Sequence, residues 1–143
     1  MDGLFQHIGI SGTRNGMSDP QRAWFVDALT IQPVTTWLHH GCCVGVDENA
    51  HWLAFELGIG SVGHPPTDTS LQMAMYDDSF QFIDLKEPKP YHDRNRDIVN
   101  ETIELWAFPA SRTQKGGTWY TINYAKQVGK PVIIVYPDGE VEN

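Results

Sequence analysis

The chain has 143 residues, a formal net charge of −8 and a hydrophobic content of 41%. This length suits one domain with one sizeable core, and the acidic balance disfavours broad binding to DNA or RNA, which depends on clustered Lys and Arg. No apolar run is long enough to span a bilayer, and the N-terminus lacks a basic segment followed by an apolar one. We therefore expect one cytoplasmic domain over residues 1–143, without a membrane partner and with a frayed tail at 137–143.

Five apolar segments that are typical of buried strands alternate with helical patterns along the chain. The first predicted strand covers residues 5–10, and Ser18-Asp19-Pro20 then gives the capping residue and early proline of a helix start. A second strand at 35–39 leads into a helix that ends at Gly58. The remaining predictions are a third strand at 59–63, a short helix at 67–76, an extended piece at 80–83, helices at 93–101 and 119–128, and strands at 103–108 and 132–136.

This alternation predicts an α/β fold. Strands that are apolar on both faces indicate a parallel sheet covered by helices. Right-handed crossovers make a doubly wound, Rossmann-like sheet of five mainly parallel strands, with helices on both faces, the simplest topology. Ligands bind such sheets at the carboxyl ends of the strands, where the winding reverses. The turns after strands one, two and four end there, so we expect them to line one cleft.

The turn Lys115-Gly116-Gly117-Thr118 is the most informative stretch of the chain. It lies between a predicted strand and a predicted helix start. A glycine pair at that position brings bare backbone N–H groups to the positive end of a helix, where a phosphate or another anion is readily held. The turn therefore predicts an anion site.

The turn after the first strand repeats this pattern with Ser11, Gly12, Thr13 and Arg14. The glycine permits close backbone approach, the neighbouring residues offer hydroxyls, and the arginine offers a planar fork for phosphate or carboxylate. The spacing matches neither a P-loop nor the dinucleotide fingerprint. An ordinary turn with an exposed arginine stays open as the alternative.

The turn after the second strand carries Gly41, Gly45 and Asp47. Asp47 either caps the following helix or presents a carboxylate to a ribose hydroxyl, and both interpretations stay open. His51, one helical turn later, is placed to orient that carboxylate by a hydrogen bond. We expect no metal and no other cofactor, because the candidate ligands lack compact motif spacing: His39, His40, His51 and His64.

Two further features complete the set of candidates. Arg94-Asn95-Arg96 opens a helix, where two guanidinium groups and an amide favour an anion, unless they form only a solvated charged face. The adjacent Cys42 and Cys43 are the two cysteines of the chain. A disulfide between neighbours is strained, so we expect reduced thiols that fill space at a strand end.

Taken in order, these motifs resemble those of the SLOG superfamily, which includes the DNA-processing protein DprA, the cytokinin-activating Lonely Guy enzymes and small YspA-type proteins. The resemblance covers nearly the whole chain and is closest to the YspA-type members. It implies a Rossmann-like domain that binds a nucleotide or a nucleotide-derived ligand such as a nucleotide sugar, often as a homo-oligomer. It rests on these stretches: Ser11 to Arg14, residues 40–51, Arg94 to Arg96, Phe108-Pro109, and Gly116 to Thr118.

The match departs from Lonely Guy enzymes at one residue. Those enzymes carry a Gly-Gly-x-Gly-Thr-x-x-Glu motif whose Glu acts in cleaving the base–ribose bond, and aligning Gly-Thr puts Thr121 at that position. The resemblance therefore implies binding, by a sensor or a sequestering protein, more securely than it implies a reaction.

Two alternatives stay open. The first is an N-glycoside hydrolase or transferase that acts on a nucleoside phosphate, with Asp47 or Glu48 as the catalytic carboxylate. The second is single-stranded DNA binding of the DprA kind, which we expect less because no aromatic residues for base stacking alternate with the arginines. That alternative would use four arginines: Arg14, Arg94, Arg96 and Arg112.

Overall fold

A seven-stranded sheet forms the centre of the computed structural model, which describes residues 4–74 and 82–143. Seven strands and four helices are defined in this part of the chain. The strands are β1 (Gln6–Gly12), β2 (Thr36–His40), β3 (Gly60–Gly63), β4 (Asp84–Leu85), β5 (Glu104–Phe108), β6 (Val132–Val135) and β7 (Val141–Glu142). The helices are α1 (Asp19–Thr30), α2 (Val46–Glu56), α3 (Tyr91–Asn100) and α4 (Gly117–Gln127).

The strand order is β4-β3-β2-β1-β5-β6-β7, and all neighbours are parallel except β6 and β7. The chain builds outward from β1 to β4 and then returns to the other side of β1 with β5, so the winding reverses between β1 and β5. This arrangement confirms the predicted doubly wound, mainly parallel sheet. In such a sheet the crevice for a ligand lies at this switch point.

The sheet has seven strands instead of the predicted five. The two additional strands, β4 and β7, are two residues long and lie at opposite edges, which makes them too short to produce a readable hydrophobic pattern. β7 lies in the tail that the sequence predicts to be frayed. There Val141 and Glu142 pair with Val135 and Ile134, respectively.

Helices cover both faces of the sheet, as predicted. On one face, α1 and α2 pack through Phe25, Leu29, Ala50 and Leu53 against sheet residues that include Trp106. On the other face, α3 and α4 pack through residues that include Val99, Trp119 and Ile122. Alternate residues of the central strands therefore face different helix layers, which explains why these strands are apolar throughout.

Ser18 starts α1 as the sequence predicts. Its hydroxyl accepts from the backbone N–H of Gln21, and the Gln21 side chain accepts from the Ser18 N–H, which completes a capping box. The buried Gln21 amide also donates to the carbonyls of Pro109, at 3.0 Å, and Val135, at 2.8 Å. These bonds fix the start of the loop after β5.

The segment after β3 differs from its prediction. Residues 67–74 form no helix, and the last two residues of the helix predicted at 67–76 lie outside the described part of the chain. The backbone of 67–74 pairs instead with the loop after β2: Met73 N–H donates to the Cys42 carbonyl and Val44 N–H to the Leu71 carbonyl. The expected extended piece at 80–83 lies partly outside the described residues, and β4 starts only at Asp84. None of the described helices is long and apolar enough to cross a membrane.

Candidate ligand-binding cleft

A cleft of about 530 Å³ opens at the carboxyl edge of the sheet, beside the switch point. Its walls come from the loops after β1, β2 and β5 and from the first turns of α2, α3 and α4, and its size is typical of small-molecule sites. Gly45 and Glu48, which the sequence also proposes, do not line it. The predicted residues that do line it are Ser11, Gly12, Thr13, Arg14, Gly41, Asp47, Arg94, Asn95, Gly116, Gly117 and Thr118.

Gly45 brings two walls of the cleft together without lining it. Its φ of 93° lies in the region that favours glycine, and an added Cβ would lie 2.5 Å from the carbonyl oxygens of Thr13 and Arg14. The next residue, Val46, donates its N–H to the Thr13 carbonyl at 3.0 Å. A glycine here therefore lets the loop after β2 dock against the loop after β1.

Three helix N-termini border the cleft, and no side chain caps any of them. The first turns of α2 and α3 carry acidic residues. These carboxylates stabilise their own helix by interacting with the positive end of its dipole, and they repel a ligand anion. The first turn of α4 carries none, and Lys115 stands just before it. Among these three ends, the N-terminus of α4 therefore attracts an anion most strongly.

The lining arginines and lysine differ in how much of their donor capacity is already used. Arg14 and Lys115 are exposed, and their side chains make no hydrogen bond or ion pair with any residue in the ranges 4–74 and 82–143. Arg94 is only 7% exposed and donates to the carbonyls of Gly41 and His64. Cationic groups that a ligand can recruit therefore come mainly from the two exposed side chains.

Because of these buried hydrogen bonds, Arg94 has a structural role in addition to lining the cleft. Besides those two carbonyls, its Nε donates to Asn95 Oδ1 at 2.6 Å and its Nη2 approaches Cys43 Sγ at 3.6 Å. The sequence predicts Arg94 and Asn95 either as anion contacts or as part of a solvated charged face. The residue that could have indicated the structural role of Arg94 is Gly41, whose missing side chain leaves the space that the guanidinium fills.

Asp47 does not cap α2, whose N-terminus has no side-chain cap. Its Oδ2 accepts from the Cys43 N–H at 3.3 Å, and the residue is 7% exposed. Burial raises the pKa of this carboxyl to about 6, although the nearby Arg94 charge and backbone N–H groups of Cys43 and Gly41 act in the opposite direction. Asp47 therefore titrates close to neutral pH at the floor of the cleft, a feature common at functional sites.

His51 does not orient Asp47, so that prediction is wrong. Its Nδ1 lies 3.0 Å from His40 Nε2, while the Cys42 N–H donates to His40 Nδ1 at 3.1 Å. His40 must then carry its proton on Nε2 and donate it to His51. The histidine pair thus fixes Cys42, which has a φ of 59°, and shapes the loop after β2.

The two thiols are free and buried, and they fill space where β2 ends. Burial raises the pKa of both Cys42 and Cys43, with the charge of Asp47 adding to the effect. Thiols in this state are protonated and poor nucleophiles.

Thr121 lies one turn into α4 and is fully buried. Its hydroxyl donates to the Gly117 carbonyl at 2.8 Å, so it is engaged with its own helix. This helix therefore presents no carboxylate to the cleft at the position where Lonely Guy enzymes have Glu.

The other arginines proposed for DNA binding, Arg96 and Arg112, do not line the cleft. Arg96 pairs with Asp93 and donates to the Tyr120 hydroxyl at 2.7 Å. Arg112 donates to Glu140 at 2.8 Å. Acidic or polar partners thus occupy both guanidinium groups.

Sequence reasoning missed the aromatic part of the cleft. Tyr91 and His92 line it at the start of α3, and the His92 ring stacks on Tyr120 with the centroids 3.9 Å apart. Only Asp93 separates these two residues from Arg94 in the sequence, so a search for aromatic rings beside the charged cluster would have found them. Rings of this kind provide a platform for a nucleobase.

Solved structures of other proteins share this fold. No protein-family model and no curated protein matches the sequence. The structure is similar to the X-ray structure of TM1055, a structural genomics target, with a TM-score of 0.63 and 17% identity over 90% of this chain and 72% of that one. It is also similar to DNA processing protein A (DprA) from Streptococcus pneumoniae, with a TM-score of 0.68 and 16% identity over 91% of this chain and 50% of that one.

At 17% and 16% identity, these two likenesses show the fold alone. The resemblance seen in the sequence is thereby confirmed at the level of the fold. The chain spans only half the length of DprA.

Proposed function

We propose that this protein binds a nucleotide or a nucleotide-derived ligand in the cleft, with a phosphate at the N-terminus of α4. The observation that carries the proposal is this uncapped helix end, which follows Lys115-Gly116 and has no acidic residue in its first turn. Backbone N–H groups that point into an open cleft, together with the helix dipole, favour an anion. Arg14 and Lys115 supply cationic charge from the loops after β1 and β5.

The rest of the cleft suits the remainder of such a ligand. Asp47 offers a carboxylate that accepts hydrogen bonds from sugar hydroxyls when it is ionised. Tyr91 and His92 offer ring faces for a base. A phosphate end, a hydroxyl-binding carboxylate and an aromatic wall in one cleft of about 530 Å³ together describe a ribonucleotide better than a simple anion.

A second candidate function is cleavage of the base–ribose bond. The observation that favours it is Asp47, which lines the cleft and has its pKa raised to about 6. A carboxyl of this kind serves as a general acid or base near neutral pH. Glu48 does not line the cleft and has no role in this scheme.

The binding proposal is tested by placing a negative charge where the phosphate is expected. An added Cβ at Gly117 meets only Asn95 Nδ2, at 4.0 Å, so a side chain fits there. An acidic residue in the first turn of a helix also favours the helix by about 0.3–1 kcal/mol. Gly117→Asp should therefore fold normally and yet weaken binding of adenosine monophosphate at least about tenfold in isothermal titration, a loss of about 1.4 kcal/mol.

Gly117→Asn is the matched control, because it adds the same bulk without the charge. Native mass spectrometry of the freshly purified wild type should show a bound mass that is absent from Gly117→Asp. Equal affinity of all three proteins for the nucleotide would remove the proposed anion site. The DprA-like alternative would be favoured if a single-stranded oligonucleotide bound more tightly than adenosine monophosphate and if neither substitution changed its affinity.

A further inference from the structure

A cluster of two histidines and one glutamate lies on the α3 side of the sheet, away from the cleft residues described above. It comprises His39 in β2, His64 just after β3, and Glu101 at the end of α3. His39 Nδ1 lies 2.8 Å from His64 Nε2, and Glu101 Oε1 lies 3.8 Å and 3.7 Å from these two nitrogens, respectively. Three donor atoms from three separate elements thus converge on one point.

Without a metal, the 2.8 Å between His39 Nδ1 and His64 Nε2 is a hydrogen bond, and a bound ion would take the place of the proton that these two nitrogens share. With metal–ligand bonds of about 2.0–2.2 Å, as for Zn²⁺, the donors of a tetrahedral site stand roughly 3.3 Å apart. The three observed separations bracket this value. The imidazole nitrogens need to part by about 0.5 Å on that basis, and the half-exposed carboxylate of Glu101 can follow.

We infer that His39, His64 and Glu101 bind a divalent transition-metal ion of the Zn²⁺ class. Two imidazoles and one carboxylate leave the fourth tetrahedral position for water or another small ligand. A cavity of about 430 Å³ is lined by His39 and Glu101 together with hydrophobic neighbours that include Trp37 and Val62. The open position therefore has a route to solvent.

His7 supports this assignment from the far side of His39. Its Nδ1 lies 2.8 Å from His39 Nε2, and its ring meets Trp37 edge-on with the centroids 5.4 Å apart. When His39 donates from Nε2 to His7, its Nδ1 lone pair points at the cluster. An outer hydrogen bond of this type fixes the tautomer and orientation of a metal-binding imidazole.

Lys86 tunes the cluster electrostatically. Its Nζ lies 3.8 Å from Glu101 Oε1 and 3.0 Å from Asp84 Oδ2, and its side chain is 41% exposed. The ammonium group stabilises the glutamate and opposes a second cation at the same carboxylate. Its removal should therefore raise the affinity for a divalent ion.

The inference goes beyond the proposed nucleotide site and can fail independently of it. One hydrogen bond links a ligand of the cluster to a side chain of the cleft: the His64 carbonyl accepts from Arg94 at 3.0 Å. Metal binding is therefore measured without nucleotide, and nucleotide binding is measured in the presence of a chelator.

The test is isothermal titration of the tag-free, chelator-treated protein with Zn²⁺. One ion should bind per chain, and Glu101→Gln should weaken it at least about tenfold, since losing outer-sphere partners alone costs about 10–100-fold. Glu87→Gln, an exposed glutamate outside the cluster, should have no effect, and Lys86→Ala should strengthen binding. Co²⁺ should give a tetrahedral visible spectrum that His64→Gln abolishes.

The Zn²⁺ titration does not depend on whether the histidine variants fold. Glu101 is 39% exposed at a helix end, so its variant tests the site even if the buried histidine variants fail to fold. Absence of Zn²⁺ binding to the wild type would overturn the inference. It would also be overturned by equal affinity of Glu101→Gln, or by binding that depends on Cys43 instead.

Discussion

The two sides of the cleft differ in how far their polar groups are already engaged. The wall built by Asp47, Arg94 and the loop after β2 is buried, and its donors and acceptors are bonded to backbone groups. The rim at Lys115 and the N-terminus of α4 is exposed, and no side chain caps it. Groups that are already bonded within the protein have less to offer a ligand, so the wall sets the shape and the rim supplies the attraction.

The largest expected effect tests the structural role of the wall. Arg94→Ala leaves the buried carbonyls of Gly41 and His64 without their donor. Each unsatisfied buried group costs about 1–3 kcal/mol, so the free energy of unfolding should fall by about 3 kcal/mol or more in urea titrations. Arg14→Ala, on the exposed side, should change it by less than about 0.5 kcal/mol.

This expectation differs from the interpretation of Arg94 as an anion contact or a solvated charged side chain, which gives it no structural role. Equal stability of Arg94→Ala and wild type would restore that simpler interpretation. It would also remove the contrast between wall and rim.

The second prediction uses the carboxyl of Asp47, whose pKa burial raises from 3.8 to about 6. As the pH rises from about 4 to 6, the unfolded chain loses this proton first, so the carboxyl destabilises the fold increasingly with pH. The full effect is about 3 kcal/mol, since one pH unit of pKa difference is about 1.4 kcal/mol. The stability of Asp47→Asn relative to wild type should therefore rise through this range and stay constant above it.

Chemical unfolding at a series of pH values measures this difference directly. Comparison with Asp47→Asn cancels the titration of the buried histidines, which is common to both proteins. Glu48→Gln is the control for the loss of a carboxylate from this turn, because Glu48 does not line the cleft. A relative stability of Asp47→Asn that does not change with pH would show that the carboxyl is not held in its raised-pKa state.

The third prediction concerns the rim. Lys115→Ala should weaken adenosine monophosphate binding about tenfold at low salt, and the effect should shrink as salt screens the charge. Stability should stay within about 0.5 kcal/mol of wild type, because the side chain has no partner among the described residues. Lys126→Ala, at the other end of α4, is the matched control, and an equal loss of affinity there would indicate a general charge effect.

The smallest expected effect is catalytic. With Thr121 engaged by the Gly117 carbonyl, α4 offers no carboxylate, so we expect no free base from adenosine or cytidine monophosphate after long incubation. Chromatography of the mixture measures this. Base release that disappears in a folded Asp47→Asn protein would instead establish the hydrolase alternative.

Sequence reasoning reached the sheet and the cleft because both depend on local patterns. Apolar strands, the Ser18 capping box and the Gly116-Gly117 turn are signals within a few residues of one another. It did not reach β4 and β7, whose pairing is decided by neighbours distant in the chain. Nor did it foresee that Arg94 fills the space beside Gly41, because that contact joins residues 53 positions apart.

The histidine cluster is a second case in which contacts between distant residues could not be predicted from local sequence patterns. Their irregular spacing gives no metal motif, yet the parallel sheet brings His39 and His64 within 2.8 Å, and the end of α3 adds Glu101. A site whose ligands come from three elements is visible only after the strand order is known. His51 pairs with His40 and not with Asp47 because α2 packs against β2.

The central claim, that a phosphate binds at the uncapped N-terminus of α4, is tested most directly by nuclear magnetic resonance. A ¹⁵N-labelled sample is titrated with adenosine monophosphate, and each backbone amide is followed separately. The account predicts that the largest shifts occur at Gly116, Gly117 and Thr118, with little change at the side-chain-capped start of α1. Saturable binding without shifts at these three amides, or shifts centred on Arg96 and Arg112, would contradict it.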